Sequence, residues 1–137
     1  MYHYTSEEGL QGILKEKIVL KSDDRREATN YHYGPGVYLT ELSPDNGKFK
    51  IQRNNYDKVT RSSIVHKTDC YFKFNKEDLC YAWKVELKKR NVWCNPDDID
   101  LKRISFYYGY TEGRENQETL HVRTLPSSII YFLTLDI

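Results

Sequence analysis

The sequence predicts an α+β fold, with short helices in the N-terminal half and a mostly antiparallel sheet system. Three observations carry this prediction. A helix-capping pattern with helically spaced apolar residues stands near the start, and short strand-like runs crowd the second half. The aromatic content is also dominated by tyrosine, with 12 Tyr against 5 Phe and 2 Trp, and a residue with an apolar body and a polar tip suits half-buried strand surfaces. At 137 residues the chain has the size of one ordinary domain, expected to span 1–137.

Residues 1–4 read as a strand or its end. Thr5-Ser6-Glu7-Glu8 has the Thr-x-x-Glu form of a capping box, and Leu10, Ile13 and Leu14 follow at helical spacing. Lys17–Leu20 reads as a second short strand, and the polar stretch 21–35 as a loop. Gly34-Pro35-Gly36 breaks the chain before a strand at Val37–Thr40. Ser43-Pro44 offers an N-cap with proline at the first helical position, so a short helix is expected there, weakened by Gly47. Further strands are expected at Cys70–Phe74, Tyr81–Leu87, Asn91–Cys94, Arg103–Tyr108, Thr119–Arg123 and Ile129–Leu135.

A formal net charge of +1 provides no global field to recruit nucleic acid or an anionic membrane. No apolar run approaches the ~18–20 residues needed to cross a bilayer, and the N-terminus has no signal-peptide pattern. Cys70, Cys80 and Cys94 form no Cys-x-x-Cys pair, so neither a disulfide framework nor a zinc site is expected. Reduced thiols suit a cytoplasmic location, or the cytosol of a target cell for a delivered effector. Gly34-Pro35-Gly36 lacks the third glycine of a dinucleotide fingerprint and leads into a strand. Phosphate-loop, His-Glu-x-x-His and Gly-x-Ser-x-Gly patterns are absent from the sequence.

What remains is a constellation in three parts. His3-Tyr4-Thr5 precedes a helix, and Gly34-Pro-Gly-Val-Tyr38-Leu-Thr forms a strand entry. Glu115-Asn116-Gln-Glu118-Thr-Leu-His-Val is followed by Leu125-Pro126-Ser-Ser-Ile. In this order the three segments resemble the motifs of the ADP-ribosyltransferase superfamily over nearly the entire chain. The closest likeness is to the toxin-type family named for a His-Tyr-Asp signature. Each motif alone is weak, and their joint order makes them specific.

The resemblance implies an ADP-ribosyltransferase-like split antiparallel sheet and a site that cleaves NAD at the nicotinamide–ribose bond without a metal. Cleavage develops oxocarbenium-like positive charge on the ribose, which a placed carboxylate stabilises. The resemblance assigns that role to Glu118, together with orientation of the incoming nucleophile. It implies that His3 donates to a ribose hydroxyl, that the backbone of Tyr4 pairs with the carboxamide, and that Tyr38 lies against the nicotinamide ring. Thr5 and Gly36 complete the NAD-binding set. Phe49, eleven positions after Tyr38, matches the spacing of a second stacking aromatic.

Tyr108, Tyr110 and Asn116 fall in a segment whose counterpart contacts the acceptor, and Arg25, Arg26 and Tyr31-His32-Tyr33 suit pyrophosphate and adenine. The expected partners are NAD and a macromolecular acceptor, a protein ahead of a nucleic acid, with no membrane. A cognate antitoxin or a larger parent protein would fit a toxin. The signature calls for Asp where Glu118 stands, so Asp69 and Asp78 remain alternative acids. Asn116 stands where arginine-directed enzymes carry Glu. An NAD glycohydrolase on the same site and an inactive NAD- or protein-binding module are the rival readings.

Overall fold

A computed structural model describes residues 1–22, 34–56 and 65–112, and the backbone of 119–121. Strand β1 (Tyr2–Thr5) leads into helix α1 (Glu7–Glu16), then β2 (Ile18–Val19) and β3 (Val37–Leu39). A 3-10 turn at Pro44–Asn46 precedes helix α2 (Lys48–Tyr56), and β4 (Cys70–Phe74) follows. The remaining strands are β5 (Trp83–Lys84), β6 (Trp93–Asn95), β7 (Ile99–Asp100), β8 (Phe106–Tyr110) and β9 (Thr119–His121). They form three antiparallel sheets, ordered β1-β4-β8-β9, β2-β7 and β3-β6-β5. The mixed α+β class is as expected.

Several boundaries differ from the sequence reading. Thr5 pairs with Cys70 inside the β1–β4 ladder, so the cap of α1 passes to Ser6, whose Oγ accepts from the Gly9 N–H at 3.0 Å. The expected helix after Ser43 divides at Gly47, which adopts φ 87° between the 3-10 turn and α2. Tyr81–Leu87 contracts to Trp83–Lys84, Asn91–Cys94 becomes Trp93–Asn95, and Arg103–Tyr108 moves to Phe106–Tyr110. Strand β7 was not expected at all. Ile129–Leu135 lies outside the described residues.

The β1–β4 pair explains the placement of the core. Strand β4 lies between β1 and β8, and both its faces are packed. Phe72 and Phe74 point into the main cluster with Leu10, Val19, Val37, Leu39, Ile99 and Phe106. On the opposite face Tyr71 packs with Tyr4 and with Ile51 of α2. A third cluster, Val85, Val92 and Cys94, lies beneath Tyr38.

Polar bonds fasten α2 to the end of β3. The buried Asn54 amide donates to Asn91 O at 2.8 Å and to Thr40 Oγ1 at 3.2 Å, while its oxygen accepts from the Asn91 N–H at 2.6 Å. Arg90 donates to the Asn54 and Asn55 carbonyls at 2.7 and 3.1 Å, satisfying groups that the helix end leaves open. Asn54→Ala is expected to cost about 1–3 kcal/mol in urea unfolding, because the partners it abandons are mostly sheltered from water.

Candidate active site

Register and the His3 side chain together leave a strand edge at β1 unpaired among the described residues. Met1 and Phe74 exchange both backbone bonds, Met1 N donating at 3.2 Å and Phe74 N at 2.8 Å. Alternation along an antiparallel ladder therefore turns His3 and Thr5 toward β4, and the backbone groups of Tyr2 and Tyr4 to the other side. On that side Tyr2 pairs with Thr40 through bonds of 2.7 and 2.9 Å. The next pairing would join Tyr4 to Tyr38. It does not form, because the His3 imidazole occupies the junction and places Nδ1 3.0 Å from the Tyr38 carbonyl oxygen. Among the described residues no backbone bond crosses to the Tyr4 N–H or C=O on this side, so one donor and one acceptor lie side by side at a splayed edge.

The same contact fixes the imidazole tautomer. A carbonyl only accepts, so Nδ1 carries the proton. Burial holds the His3 pKa below its ordinary value, and the Tyr38 carbonyl offsets part of that shift. The neutral ring then presents Nε2 as an acceptor. With Nδ1–H committed to Tyr38, the nitrogen that neutral His3 leaves open is an acceptor, whereas the resemblance has His3 as a donor.

Strand alternation sends Val37 and Leu39 into the main core and leaves the half-buried Tyr38 on the opposite face, against Val85, Val92 and Cys94. Its hydroxyl donates to the Gly34 carbonyl. Gly36 lies where β3 approaches β6 so closely that a Cβ would stand 2.4 Å from Cys94 Sγ and 2.7 Å from the Asn95 carbonyl oxygen. Strand packing is therefore the structural requirement for glycine at this position. Gly36→Ala is expected to cost about 1–3 kcal/mol as overpacking, read as a lowered midpoint of thermal or urea unfolding.

The family model described as "HYD1 signature containing ADP-ribosyltransferase" matches residues 1–103. The chain belongs to this toxin-type ADP-ribosyltransferase family. No curated protein and no solved structure matches the chain. The match includes His3, Tyr4, Thr5, Gly36, Tyr38 and Phe49 of this chain and ends before Tyr108, Tyr110, Asn116 and Glu118.

The structure brings the His3 imidazole to the Tyr38 carbonyl, beside the Tyr4 backbone. Tyr4 contributes only main chain there, since its ring is buried against Ile51 and Tyr71 and its hydroxyl donates to Leu42 O at 2.8 Å. Burial pushes that phenol's pKa upward. Thr5 packs over the first turn of α1, its Oγ1 2.0 Å from where a Cβ on Gly9 would stand. Phe49 is 63% exposed and lies two residues from buried Ile51, about 200° around the helix, on the outer face of α2.

The expected acceptor segment begins as strand β8. Tyr108 lies 6.0 Å from Phe72 between ring centroids, and Tyr110 donates to Glu7 Oε2 at 2.8 Å. Asn116, Glu118, Arg25, Arg26 and Tyr31-His32-Tyr33 lie outside the described residues. Of the alternative acids, Asp69 is engaged by Lys48 at 2.5 Å and His66 at 2.9 Å, and Asp78 belongs to an exposed 3-10 turn at Lys76–Asp78. Ser22 was missed by sequence reasoning. It grips Gly36 from fourteen residues away, and a serine at the edge of a polar stretch carries no local signal of such a bond. Among the described residues, no helix is long and apolar enough to cross a membrane.

Proposed function

We propose that this chain is an NAD-dependent mono-ADP-ribosyltransferase that cleaves the nicotinamide–ribose bond and passes ADP-ribose to a macromolecular acceptor, a protein in the first instance. The observation that carries this reading is the junction of His3, Tyr38 and the open Tyr4 edge. A carboxamide presents one acceptor and two donors in a plane, and the Tyr4 N–H and C=O offer the complement. The Tyr38 ring supplies a flat face for the pyridinium. Neutral His3, through Nε2, accepts from a ribose hydroxyl. The splay between β1 and β3 is read as the split of an ADP-ribosyltransferase-like sheet.

In this mechanism the C1′–N bond breaks and its electron pair leaves with nicotinamide. The positive charge passes to the ribose, where the Glu118 carboxylate stabilises it. The acceptor's nucleophilic atom then bonds to C1′ and gives up its proton. No metal is invoked. Phe49, exposed on α2, is the candidate second stacking aromatic, and acceptor contact is assigned to Tyr108, Tyr110 and Asn116.

Incubation with NAD labelled in the adenosine half tests the reading. Covalent label on a lysate protein, together with free nicotinamide, is the expected result. Label recovered only as free ADP-ribose makes water the acceptor and the protein a glycohydrolase. Binding of NAD by calorimetry without nicotinamide release identifies an inactive binding module, and label on nucleic acid alone moves the acceptor to that class.

A further inference from the structure

The Gly34–Gly36 turn that delivers Tyr38 is gripped at all three of its carbonyls. The Tyr38 hydroxyl folds back onto Gly34 O. The Cys94 thiol donates to Pro35 O at 3.8 Å. Ser22 takes the third: its backbone N–H and its hydroxyl each donate to Gly36 O at 3.0 Å, and its Oγ accepts from the Gly36 N–H at 3.4 Å. Both Ser22 and Cys94 are buried, so these bonds act in a dry environment where a missing partner is not replaced by water. Cys94 also pairs directly with Tyr38 across the β3–β6 ladder.

Backbone pairing with β6 already holds the Cα of Tyr38. It does not set the orientation of the ring, which is free to rock about its side-chain torsions unless its far end is tied. The tie is the hydroxyl bond to Gly34, and Gly34 is placed in turn by the carbonyls that Ser22 and Cys94 hold. Gly34 adopts φ 99°, a conformation that side chains disfavour, so the turn needs such restraints to stay in this shape.

We propose that Ser22 and Cys94 are positioning residues that fix the Tyr38 ring through the Gly34–Gly36 turn, and so set how tightly a planar heteroaromatic ligand is held. The ligand half of this proposal rests on the NAD reading above; the ring-fixing half does not. Neither residue touches the reacting atoms. Their loss therefore weakens binding of substrate and transition state alike, which raises KM and leaves kcat in place.

Protein carrying 13C-labelled tyrosine rings tests both halves, with Tyr38→Phe assigning the Tyr38 resonances. In the free protein, Ser22→Ala and Cys94→Ala are expected to shift or broaden those resonances, and Ser22→Thr, which keeps a hydroxyl, is expected to restore them. With NAD, the alanine variants should raise KM about three- to tenfold, the loss of one neutral hydrogen bond, with kcat within about twofold. Where an alanine variant does not fold, Cys94→Ser and Ser22→Thr against Ser22→Val give the same comparison. Unmoved Tyr38 resonances in the folded variants overturn the proposal, and so does a fall in kcat at constant KM. If wild-type protein neither binds nor cleaves NAD, the functional reading fails with the ligand half, and the resonances alone decide whether Ser22 and Cys94 fix the ring.

Discussion

Glu118→Gln is expected to lower the rate of nicotinamide release by at least about two to three orders of magnitude while the unfolding transition stays where it is. Glutamine keeps the shape and part of the hydrogen bonding of the side chain and removes its charge. If the carboxylate worked only by gripping a ribose hydroxyl, the amide would retain much of the activity. If it works by opposing the charge that develops on the ribose, the amide retains almost none. The measurement is release of labelled nicotinamide at saturating NAD, with circular dichroism and a urea melt to show an intact fold.

The family match ends at residue 103, which gives this experiment a sharp alternative. Full activity in Glu118→Gln would move the role to another acid, and the matched segment holds candidates. Asp97 and Asp98 follow β6, whose Cys94 faces Tyr38, and Asp98 Oδ1 accepts from the Lys21 N–H at 2.8 Å. Parallel Asp97→Asn and Asp98→Asn variants would then show the loss. Asp69 is the weaker alternative, since its carboxylate is already engaged by the Lys48 ammonium and by a hydrogen bond to His66.

The parts of this fold that were legible in the sequence are those whose signals are local. Strand β1, helix α1, β3 and β4 announce themselves by alternation, capping and helical spacing within a few residues. Helix α1 nevertheless starts one residue later than the capping box suggests, because the ladder with Cys70 claims Thr5 first. Strands β5 and β7 are two residues long, too short to carry a period, and are defined by their pairing partners. Within the site, His3 and Tyr38 were visible as residues, but what joins them was not. The bond to the Tyr38 carbonyl, and with it the tautomer of His3, follows from the register between β1 and β3. Ser22 illustrates the same limit, because its partner lies fourteen positions on.

His3 performs two tasks with two nitrogens, so two substitutions are expected to separate them. His3→Asn places an amide near Nδ1, preserving the bond to the Tyr38 carbonyl and with it the splayed edge, but offers nothing at Nε2. It is expected to fold normally and to lose about tenfold or more in kcat/KM. His3→Gln reaches toward Nε2 and gives up the Tyr38 bond, so it is expected to be less stable by about 1–3 kcal/mol, the cost of a sheltered carbonyl without a partner. The pH dependence discriminates further. Because burial depresses the folded-state pKa of His3 below the ordinary 6.5, the stability it contributes as a neutral group is fully present above pH 6.5. That contribution is lost as pH falls toward the folded-state value, with a slope that cannot exceed about 1.4 kcal/mol per pH unit for one proton. The difference in unfolding free energy between wild type and His3→Asn should therefore be flat from pH 8 to 7 and turn against wild type on the acid side. A difference that stays constant down to pH 5 would mean that His3 is not held as a neutral imidazole, and the Nε2 acceptor at this junction would be lost with it.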